Sequence, residues 1–493
     1  MVARRSRGFN GAGTRTTKFA LLRPAFITTL PLPVKLPSVS QAAALLLAGL
    51  AQLGLAYATP RAHFGQLVAL FGVGLLAYAW LLRSGLGWRW GLAAALGLRL
   101  LWLPAQPALS DDVHRFRWDG LLVAQGVNPF LYRPDELIAD GARTALPDAA
   151  ARRALLPELQ QLYRHMNSPH YYSVYPPVCQ FVFAAAARAF PDSQMGFVVS
   201  LRVVILLAEA ATAWLLLALL PAFGLARTQA LRYLLHPLVI AELTGNLHLE
   251  GLALGLLLLS VWLLVRGRGW ASAGALALAV ATKLLPLLAL PLLVRRLGWR
   301  RAAGYGAAVG AGLLLVFSPF LSADLLAHIG SSLGLYFQRF EFNASVYYLL
   351  RAVGYRLTSY NEIARLGPAL ALLSGLLGLA LAARERRPTL ASLPAALLLL
   401  LTGYFALATI VHPWYLTLLI GLSPLTRFRF PLVWGGMAVL SYAAYQTPAY
   451  TENLWLVGLE YAVTLAVLVW ELLTRQQAPE NETSASQGAT RKS

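Results

Sequence analysis

Long apolar runs recur along almost the whole chain. Two examples are SQAAALLLAGLAQLGLAYA at 40–58 and GLALGLLLLSVWLLV at 251–265. A helix of about 20 apolar residues crosses the roughly 30 Å hydrocarbon core of a bilayer. Because 58% of the 493 residues are hydrophobic and only 13% are charged, the chain has too little polar surface for a soluble protein of this length. The sequence therefore predicts an all-α, polytopic membrane protein.

The basic residues determine the expected orientation. The net charge is +20, and in a soluble protein such an excess would indicate nucleic acid as a partner. Here the basic residues lie mainly in short loops and tails, as the positive-inside rule expects of cytoplasmic segments. These clusters are Arg4, Arg5, Arg7, Arg15 and Lys18; Arg83 and Arg89; Arg266 and Arg268; Arg295, Arg296, Arg300 and Arg301; Arg384, Arg386 and Arg387; and Arg427 and Arg429. If all of these clusters are cytoplasmic, the chain crosses the membrane three times, at 40–58, 64–82 and 88–104. Residues 105–172 then lie at the outer face.

Two segments require special treatment to keep this orientation consistent. Segment 174–190 opens with Pro-Pro and is short for a crossing, so we expect a short or partly inserted helix there. Segment 271–294 has arginines at both ends and Pro286 near its middle, which favours a re-entrant hairpin of two half-helices. A single span with a tolerated proline remains the alternative.

The resulting topology has about twelve spans, with both termini cytoplasmic in the plasma (inner) membrane. The remaining spans are expected near 195–221, 229–246, 250–265, 302–321, 367–384, 390–411, 413–426, 431–448 and 453–473. One membrane-embedded domain covers 37–473, with a first outer loop at 105–190, carrying short amphipathic helices, and a second at 322–366. A basic cytoplasmic tail at 1–36 and a disordered cytoplasmic tail at 474–493 complete the chain.

Five polar segments collect on the predicted outer side. They are 110–137, YYSVYPP at 171–177, GNLHLE at 245–250, YFQRFEFNAS at 336–345 and VHPWY at 411–415. The turn that contains Lys283 points the same way. Ionisable residues within membrane segments are costly and usually mark substrate pathways or sites. This convergence predicts a functional site at the outer face.

Asp111 and Asp112 begin the first of these segments. Adjacent carboxylates disfavour each other's ionised form, which raises one pKa and suits a general base. Arg115 and Arg117 follow closely and could bind phosphate. The alternative is an interfacial amphipathic helix that has an Asp N-cap and Asp–Arg pairs but performs no chemistry.

The other candidates are individually ambiguous. His248 and Glu250 lie about 200° apart on a regular helix, so they could share a ligand only if that helix were broken. His412 could cap a helix or lie over a sugar. Lys283 could extend towards the membrane surface or contact a phosphate from the hairpin apex. Tyr175 precedes a Pro-Pro pair that is ordinary at a helix start.

Taken in order, the motifs resemble those of the GT-C superfamily of integral-membrane glycosyltransferases. The similarity is greatest to bacterial polyprenyl-phosphate-mannose-dependent mannosyltransferases. It rests on SDDVHRFRWDG, GVNPF, YRP, YPPVCQ, NLHLEG, ATKLLPLLALP, FEFNASVYYLLRAVG and HPWYL, which run from about 110 to 416. No large soluble domain follows the spans, unlike oligosaccharyltransferase-like members.

The resemblance implies inverting transfer of a hexose, here mannose, from a polyprenyl phosphate to a lipid or glycan acceptor of the cell envelope. By this resemblance Asp112, or else Asp111, is the base, and Arg115, Arg117 and Lys283 stabilise phosphate charge. His248 and His412 would contact sugar or phosphate, and the remaining substrate-binding candidates are Tyr175, Glu250 and Asn343. The adjacent aspartates permit a divalent metal, but nothing in the sequence requires a cofactor.

The sequence departs from the family in two places. Relatives often carry Tyr where this chain has His114 and Phe116, and their acidic loop often follows the first span rather than the third. A transporter or lipid flippase whose charged residues line a substrate path is the alternative function.

Overall fold

The computed structural model describes residues 36–476, and within them every regular element is helical. Backbone pairing between extended segments in this range is confined to an isolated bridge between Phe342 and Ile410. The predicted all-α class is therefore confirmed. The predicted tails at 1–36 and 474–493 lie almost entirely outside the described residues.

The first group of helices carries the long polar loop. It comprises α1 (Val39–Tyr57), α2 (Phe64–Arg83), α3 (Trp88–Leu100), α4 (Asp112–Ala124), α5 (Pro134–Ala139), α6 (Ala149–His165), α7 (Pro177–Ala189) and α8 (Gln194–Ala222). The first helix begins with a capping box in which Ser38 and Gln41 satisfy each other's backbone groups. The short α7 agrees with the expectation for 174–190.

The second group contains a π-helix and a break. It comprises a 3₁₀ turn (Arg227–Ala230), α9 (Leu231–Leu234), α10 (Pro237–Val239), the π-helix (Ile240–Gly245), α11 (Glu250–Val265), α12 (Gly269–Val280), a 3₁₀ turn (Leu285–Leu288), α13 (Ala289–Leu297), α14 (Trp299–Phe317) and a 3₁₀ turn (Ser318–Phe320).

The third group completes the helical domain. It comprises α15 (Leu325–Gln338), α16 (Val346–Thr358), α17 (Ile363–Arg384), α18 (Leu393–Leu407), a 3₁₀ turn (Pro413–Tyr415), α19 (Leu416–Leu422), a 3₁₀ turn (Ser423–Leu425), α20 (Phe430–Met437), a 3₁₀ turn (Ala438–Gln446) and α21 (Leu454–Gln476).

Fewer helices are long enough to cross a membrane than the sequence predicts. Within residues 36–476, six are long and apolar enough, and a seventh span results if the segments 237–245 and 250–265, bent by 110°, count as one. The six are α1, α2, α8, α14 with its following turn, α17 and α21. Several other expected spans are divided into shorter helices near prolines such as Pro237, Pro413 and Pro424, since proline interrupts the helical hydrogen bonds. The multi-pass prediction is confirmed, whereas the count of about twelve stays a prediction.

The segment around Lys283 turns back as a hairpin. Helices α12 and α14 run parallel, because Trp270 lies near Gly304 and Ala277 lies near Gly312. The chain therefore runs along α12, reverses direction at Lys283, and returns along α13, so that α14 begins beside the start of α12. Both halves are short helices, as the hairpin prediction requires.

Gly120 allows α4 to lie directly against α7. A Cβ added there would be 2.6 Å from the Phe183 carbonyl oxygen, which belongs to the backbone and cannot rotate away. We expect Gly120→Ala to lower the free energy of unfolding by about 2 kcal/mol, because overpacking forces the helices apart. Thermal unfolding in detergent measures this. Gly97→Ala is the matched control, since nothing lies within 4 Å of its added Cβ. An equal effect of both changes would contradict the packing explanation.

Candidate functional site

The Asp112 carboxylate stands at the start of α4, where two distant segments contact it. Asn167, just after α6, donates to one oxygen at 3.1 Å, and the Tyr175 hydroxyl donates to the other at 3.1 Å. Burial raises the pKa of Asp112, while these hydrogen bonds and the charge of Lys283 oppose the rise. Both of these hydrogen bonds come from neutral groups.

Asp111 is bound differently from its neighbour. Its carboxylate forms an ion pair with Arg61, whose Nη2 lies 2.6 Å from Oδ2. Arg61 comes from the turn between α1 and α2, which is remote in sequence. The two adjacent aspartates therefore have different chemical surroundings, a difference that the sequence alone did not specify.

Lys283 lies at the hairpin apex beside the same group of residues. Its Nζ is 2.8 Å from Glu250 Oε1 and 5.4 Å from the centre of the Tyr175 ring. The apex is fastened to the start of α7, because Val178 N donates to the Ala281 carbonyl at 3.0 Å. The half-helix hairpin thus brings a cation next to Tyr175 and the Asp112 carboxylate.

A helix break places His248 in this site. The π-helix ends at Gly245, Leu247 takes a left-handed conformation with φ of 67°, and α11 starts only at Glu250. His248 and Glu250 therefore do not lie 200° apart on one regular helix, because the helix is broken between Gly245 and Glu250. His248 is 2% exposed. Short π segments of this kind are frequent at functional sites.

The broken segment is also tied to the loop before Asp112. Asn246 accepts a hydrogen bond from Leu109 N at 3.3 Å and donates to Glu242 at 3.0 Å. Glu242 also accepts from the Tyr442 hydroxyl. These buried contacts hold the start of α4 and the His248 segment in fixed relation.

Trp414 is stacked between two histidines. Its ring centre lies 4.1 Å from that of His248 and 4.2 Å from that of His412, with the planes within 12° of parallel. The Nε2 atom of His248 and the Nδ1 atom of His412 are buried and form no hydrogen bond within the described residues. His248 Nε2 lies 3.6 Å from Glu242 Oε2, so it already faces a buried carboxylate. Buried polar atoms usually have partners, and His412 Nδ1 is therefore available to a bound ligand.

Three of the candidate residues, Tyr175, His248 and Lys283, line one narrow gap of about 170 Å³, which is called the cleft below. Its walls are Phe116, Tyr175, Cys179, Phe183, His248, Leu249 and Lys283. A cation, a phenol and an imidazole thus face a space bounded by aromatic and aliphatic side chains. Such a combination suits a ligand that carries both a charged group and an apolar or sugar face.

Arg115 and Arg117 are engaged within the protein. Arg115 pairs with Asp119 at 2.8 Å on its own helix, and Arg117 pairs with Glu158 of α6 at 2.7 Å. Arg117 also donates to the Pro191 carbonyl at 2.7 Å. These contacts hold α4 against neighbouring segments, so both arginines have a structural role. Their contacts with phosphate stay predictions.

Asn343 supports the segment that precedes His412. Its amide nitrogen donates to the Val411 carbonyl at 3.3 Å and to Glu460 at 3.1 Å, and its φ is 48°. Asn tolerates this left-handed conformation better than most residues. A substrate contact from Asn343 also stays a prediction.

The sequence analysis missed Arg61, Asn167 and Trp414. One signal was present for Arg61: it is a basic residue on a turn that the charge rule assigns to the outer side, where basic residues are fewer. Trp414 lies within the HPWYL motif two residues after His412, but its stacking on His248 depends on a distant segment. Asn167 gave no signal, because its contact with Asp112 joins residues far apart in sequence. No group of three His, Cys, Asp or Glu residues between 36 and 476 is arranged to hold a metal ion.

Two comparisons with known proteins show what the chain is similar to. The family model described as alpha-(1->6)-mannopyranosyltransferase, N-terminal domain, matches residues 34–298. The matched range contains Asp112, Tyr175, His248 and Lys283, whereas His412 lies beyond it. Alpha-(1->6)-mannopyranosyltransferase B of Corynebacterium glutamicum is 27% identical over 224 residues, which represent 41% of this chain and 34% of that protein. The aligned region thus spans about a third of the relative's length.

Proposed function

The chain belongs to the alpha-(1->6)-mannopyranosyltransferase family, and from this membership we propose that it transfers mannose from a polyprenyl-phosphate donor to a hydroxyl group of a lipid or glycan acceptor. The single observation that carries the proposal is that Tyr175, Lys283 and His248 line one narrow cleft. Asp112 is joined to it through the Tyr175 hydroxyl, and Trp414 through its stacking on His248. These groups supply a base, a cation and stacked rings beside an apolar wall.

Asp112 acts as the general base. Its carboxylate takes the proton from the acceptor hydroxyl as that oxygen attacks the anomeric carbon of the donor. The bond from the anomeric carbon to the phosphate oxygen breaks, and polyprenyl phosphate leaves with the bonding electrons. Attack from the face opposite the phosphate inverts the anomeric centre. Asp112 is preferred to Asp111 because Asp111 is paired with Arg61.

Lys283 stabilises the departing phosphate. Negative charge accumulates on the phosphate oxygens as the bond breaks, and a fixed cation next to them lowers the energy of the transition state. The same amino group pairs with Glu250 in the structure, so the donor phosphate and Glu250 share Lys283. The buried nitrogens of His248 and His412 contact the sugar or phosphate beside Trp414. Arg115 and Arg117 hold α4 so that Asp112 stays in place.

The reaction takes place at the outer face of the plasma membrane. Support comes from the hairpin, whose two ends carry the basic pairs Arg266 with Arg268 and Arg300 with Arg301, while Lys283 lies at the opposite end. The positive-inside rule assigns the arginine-bearing end to the cytoplasm. The polyprenyl chain then lies in the membrane while its sugar phosphate enters the cleft.

A transfer assay separates this function from transport. Purified protein in detergent is incubated with polyprenyl phosphate carrying radiolabelled mannose and with an octyl mannoside whose 6-hydroxyl is free. We expect labelled disaccharide to form with inverted configuration at the transferred sugar. A transporter or flippase would leave the donor intact in detergent and would move it between leaflets of a vesicle. Intact donor together with such movement would overturn the proposal.

A further inference from the structure

Arg61 joins three segments that are far apart in the sequence. Its guanidinium pairs with Asp111 at 2.6 Å and donates to the Tyr450 hydroxyl at 3.3 Å. It also lies over two aromatic rings, 5.0 Å from the centre of Tyr445 and 5.8 Å from that of Tyr450. Cations are held well in such positions over the face of a ring. The side chain is therefore fixed next to Asp111 rather than free to move.

The ion pair between Arg61 and Asp111 also affects Asp112, because the two aspartates are adjacent. Two neighbouring negative charges raise each other's pKa, so an unpaired Asp111 would favour protonation of Asp112. A protonated carboxyl group cannot accept a proton from an acceptor hydroxyl. The charge of Arg61 offsets that of Asp111, while the hydrogen bonds from Asn167 and Tyr175 to Asp112 come from neutral groups.

We propose that Arg61 is a positioning residue that neutralises Asp111 and thereby keeps Asp112 ionised as the base. The inference rests on the proposed function and deepens it by explaining how two adjacent aspartates take different roles. Arg61 acts through Asp111 and does not touch the reacting atoms.

Charged and titratable groups from several packed elements face Asp112. Besides Asp111 on its own segment, the charged and titratable neighbours are Tyr175, Lys283, Glu242 and Tyr445. Lys283 already favours the ionised carboxylate from the hairpin side. Substitution of Arg61 does not alter Tyr175, Lys283 or Glu242, but it removes the cation that lies 5.0 Å from the centre of the Tyr445 ring. R61Q and R61Q/D111N share this loss, so a difference between their acid limbs reports on the charge of Asp111.

The test compares kcat/KM for mannosyl transfer against pH in four proteins: the wild type, R61Q, R61K and the double variant R61Q/D111N. Activity requires ionised Asp112 and falls as the pH drops through its pKa. We expect R61Q to shift this acid limb to higher pH by about one unit. At pH values below the limb, kcat/KM should then be about tenfold lower than in the wild type, and at pH values well above it kcat/KM should be little changed. R61K retains the charge and should stay near the wild type. The double variant removes both charges and should return the limb to its original position.

Two results would overturn the inference. The first is a higher KM for the donor in R61Q with an unmoved acid limb, which would mean that Arg61 binds the phosphate itself. The second is a double variant as impaired as R61Q, which would mean a purely structural role. Should R61Q fold poorly, the double variant is compared with D111N, which keeps Arg61 charged beside Asp112. We expect the acid limb of D111N at lower pH than that of R61Q/D111N, and equal limbs would overturn the inference.

An infrared titration makes the inference independent of the transfer assay. The carbonyl stretch of protonated Asp112 is assigned as the band lost in D112N, and its midpoint is followed against pH. We expect a higher midpoint in R61Q than in the wild type, and equal midpoints would contradict the inference. If the wild type transfers no mannose at all, the proposed function fails while this titration still decides the role of Arg61.

Discussion

Replacing Asp112 with Asn is expected to reduce mannosyl transfer by about 10³-fold, because a positioned general base contributes about 10²–10⁴-fold to such reactions. Asn has nearly the same size and can still accept a hydrogen bond from Tyr175 or Asn167, so the fold of the loop should persist. The measurement is the initial rate of labelled product formation from polyprenyl-phosphate mannose, together with the thermal midpoint of each protein.

Asp324→Asn is the matched control, since Asp324 is an exposed aspartate at the start of α15. It should transfer mannose at the wild-type rate. Full activity in Asp112→Asn, and also in the double variant that changes Asp111, would eliminate the assigned base. Loss of activity together with a lowered thermal midpoint would instead indicate damage to the loop, and this is why both quantities are measured.

Replacing Lys283 with Met should impair both transfer and stability, for different reasons. Transfer should fall by about 10²-fold or more, since a cation that stabilises developing phosphate charge is lost. Glu250 would remain without its counter-charge in a site where it is largely buried. Removing one partner of a buried ion pair typically lowers the free energy of unfolding by about 3–5 kcal/mol. We expect about 2 kcal/mol here, because the Lys283 side chain is 23% exposed and water screens the pair.

The double variant Lys283→Met with Glu250→Gln separates the two effects. Removing the negative charge as well should restore most of the thermal stability, because no unpaired charge is left. Transfer should stay low, since the phosphate still lacks its cation. Recovery of activity along with stability would show that Lys283 serves only to neutralise Glu250.

Sequence reasoning succeeded where the determining interactions are local. The run at 40–58 became α1 at Val39–Tyr57, because apolar length and the Ser38 cap lie within the segment itself. The hairpin around Lys283 was predicted from Pro286 and the flanking arginines. The family resemblance, which rests on ordered motifs, is confirmed by the match over residues 34–298.

Sequence reasoning failed where partners come from elsewhere in the chain. Arg117 pairs with Glu158, forty-one residues away, so its engagement within the protein could not be seen in advance. Arg115 is different: Asp119 stands four residues later on the same helix face, a spacing that favours such a pair. The difference between Asp111 and Asp112 depends on Arg61 and Asn167, which are fifty and fifty-five residues distant.

The central claim is that Asp112 and Lys283 act on opposite sides of one anomeric carbon. An experimental structure with a polyprenyl phosphonate analogue of the mannose donor tests it most directly, since the carbon–phosphorus bond prevents cleavage. We expect phosphonate oxygens about 3 Å from Lys283 Nζ, with the opposite face of the anomeric carbon turned towards Asp112. A sugar bound outside the cleft, or an Asp112 carboxylate on the same side as the phosphonate, would contradict the account.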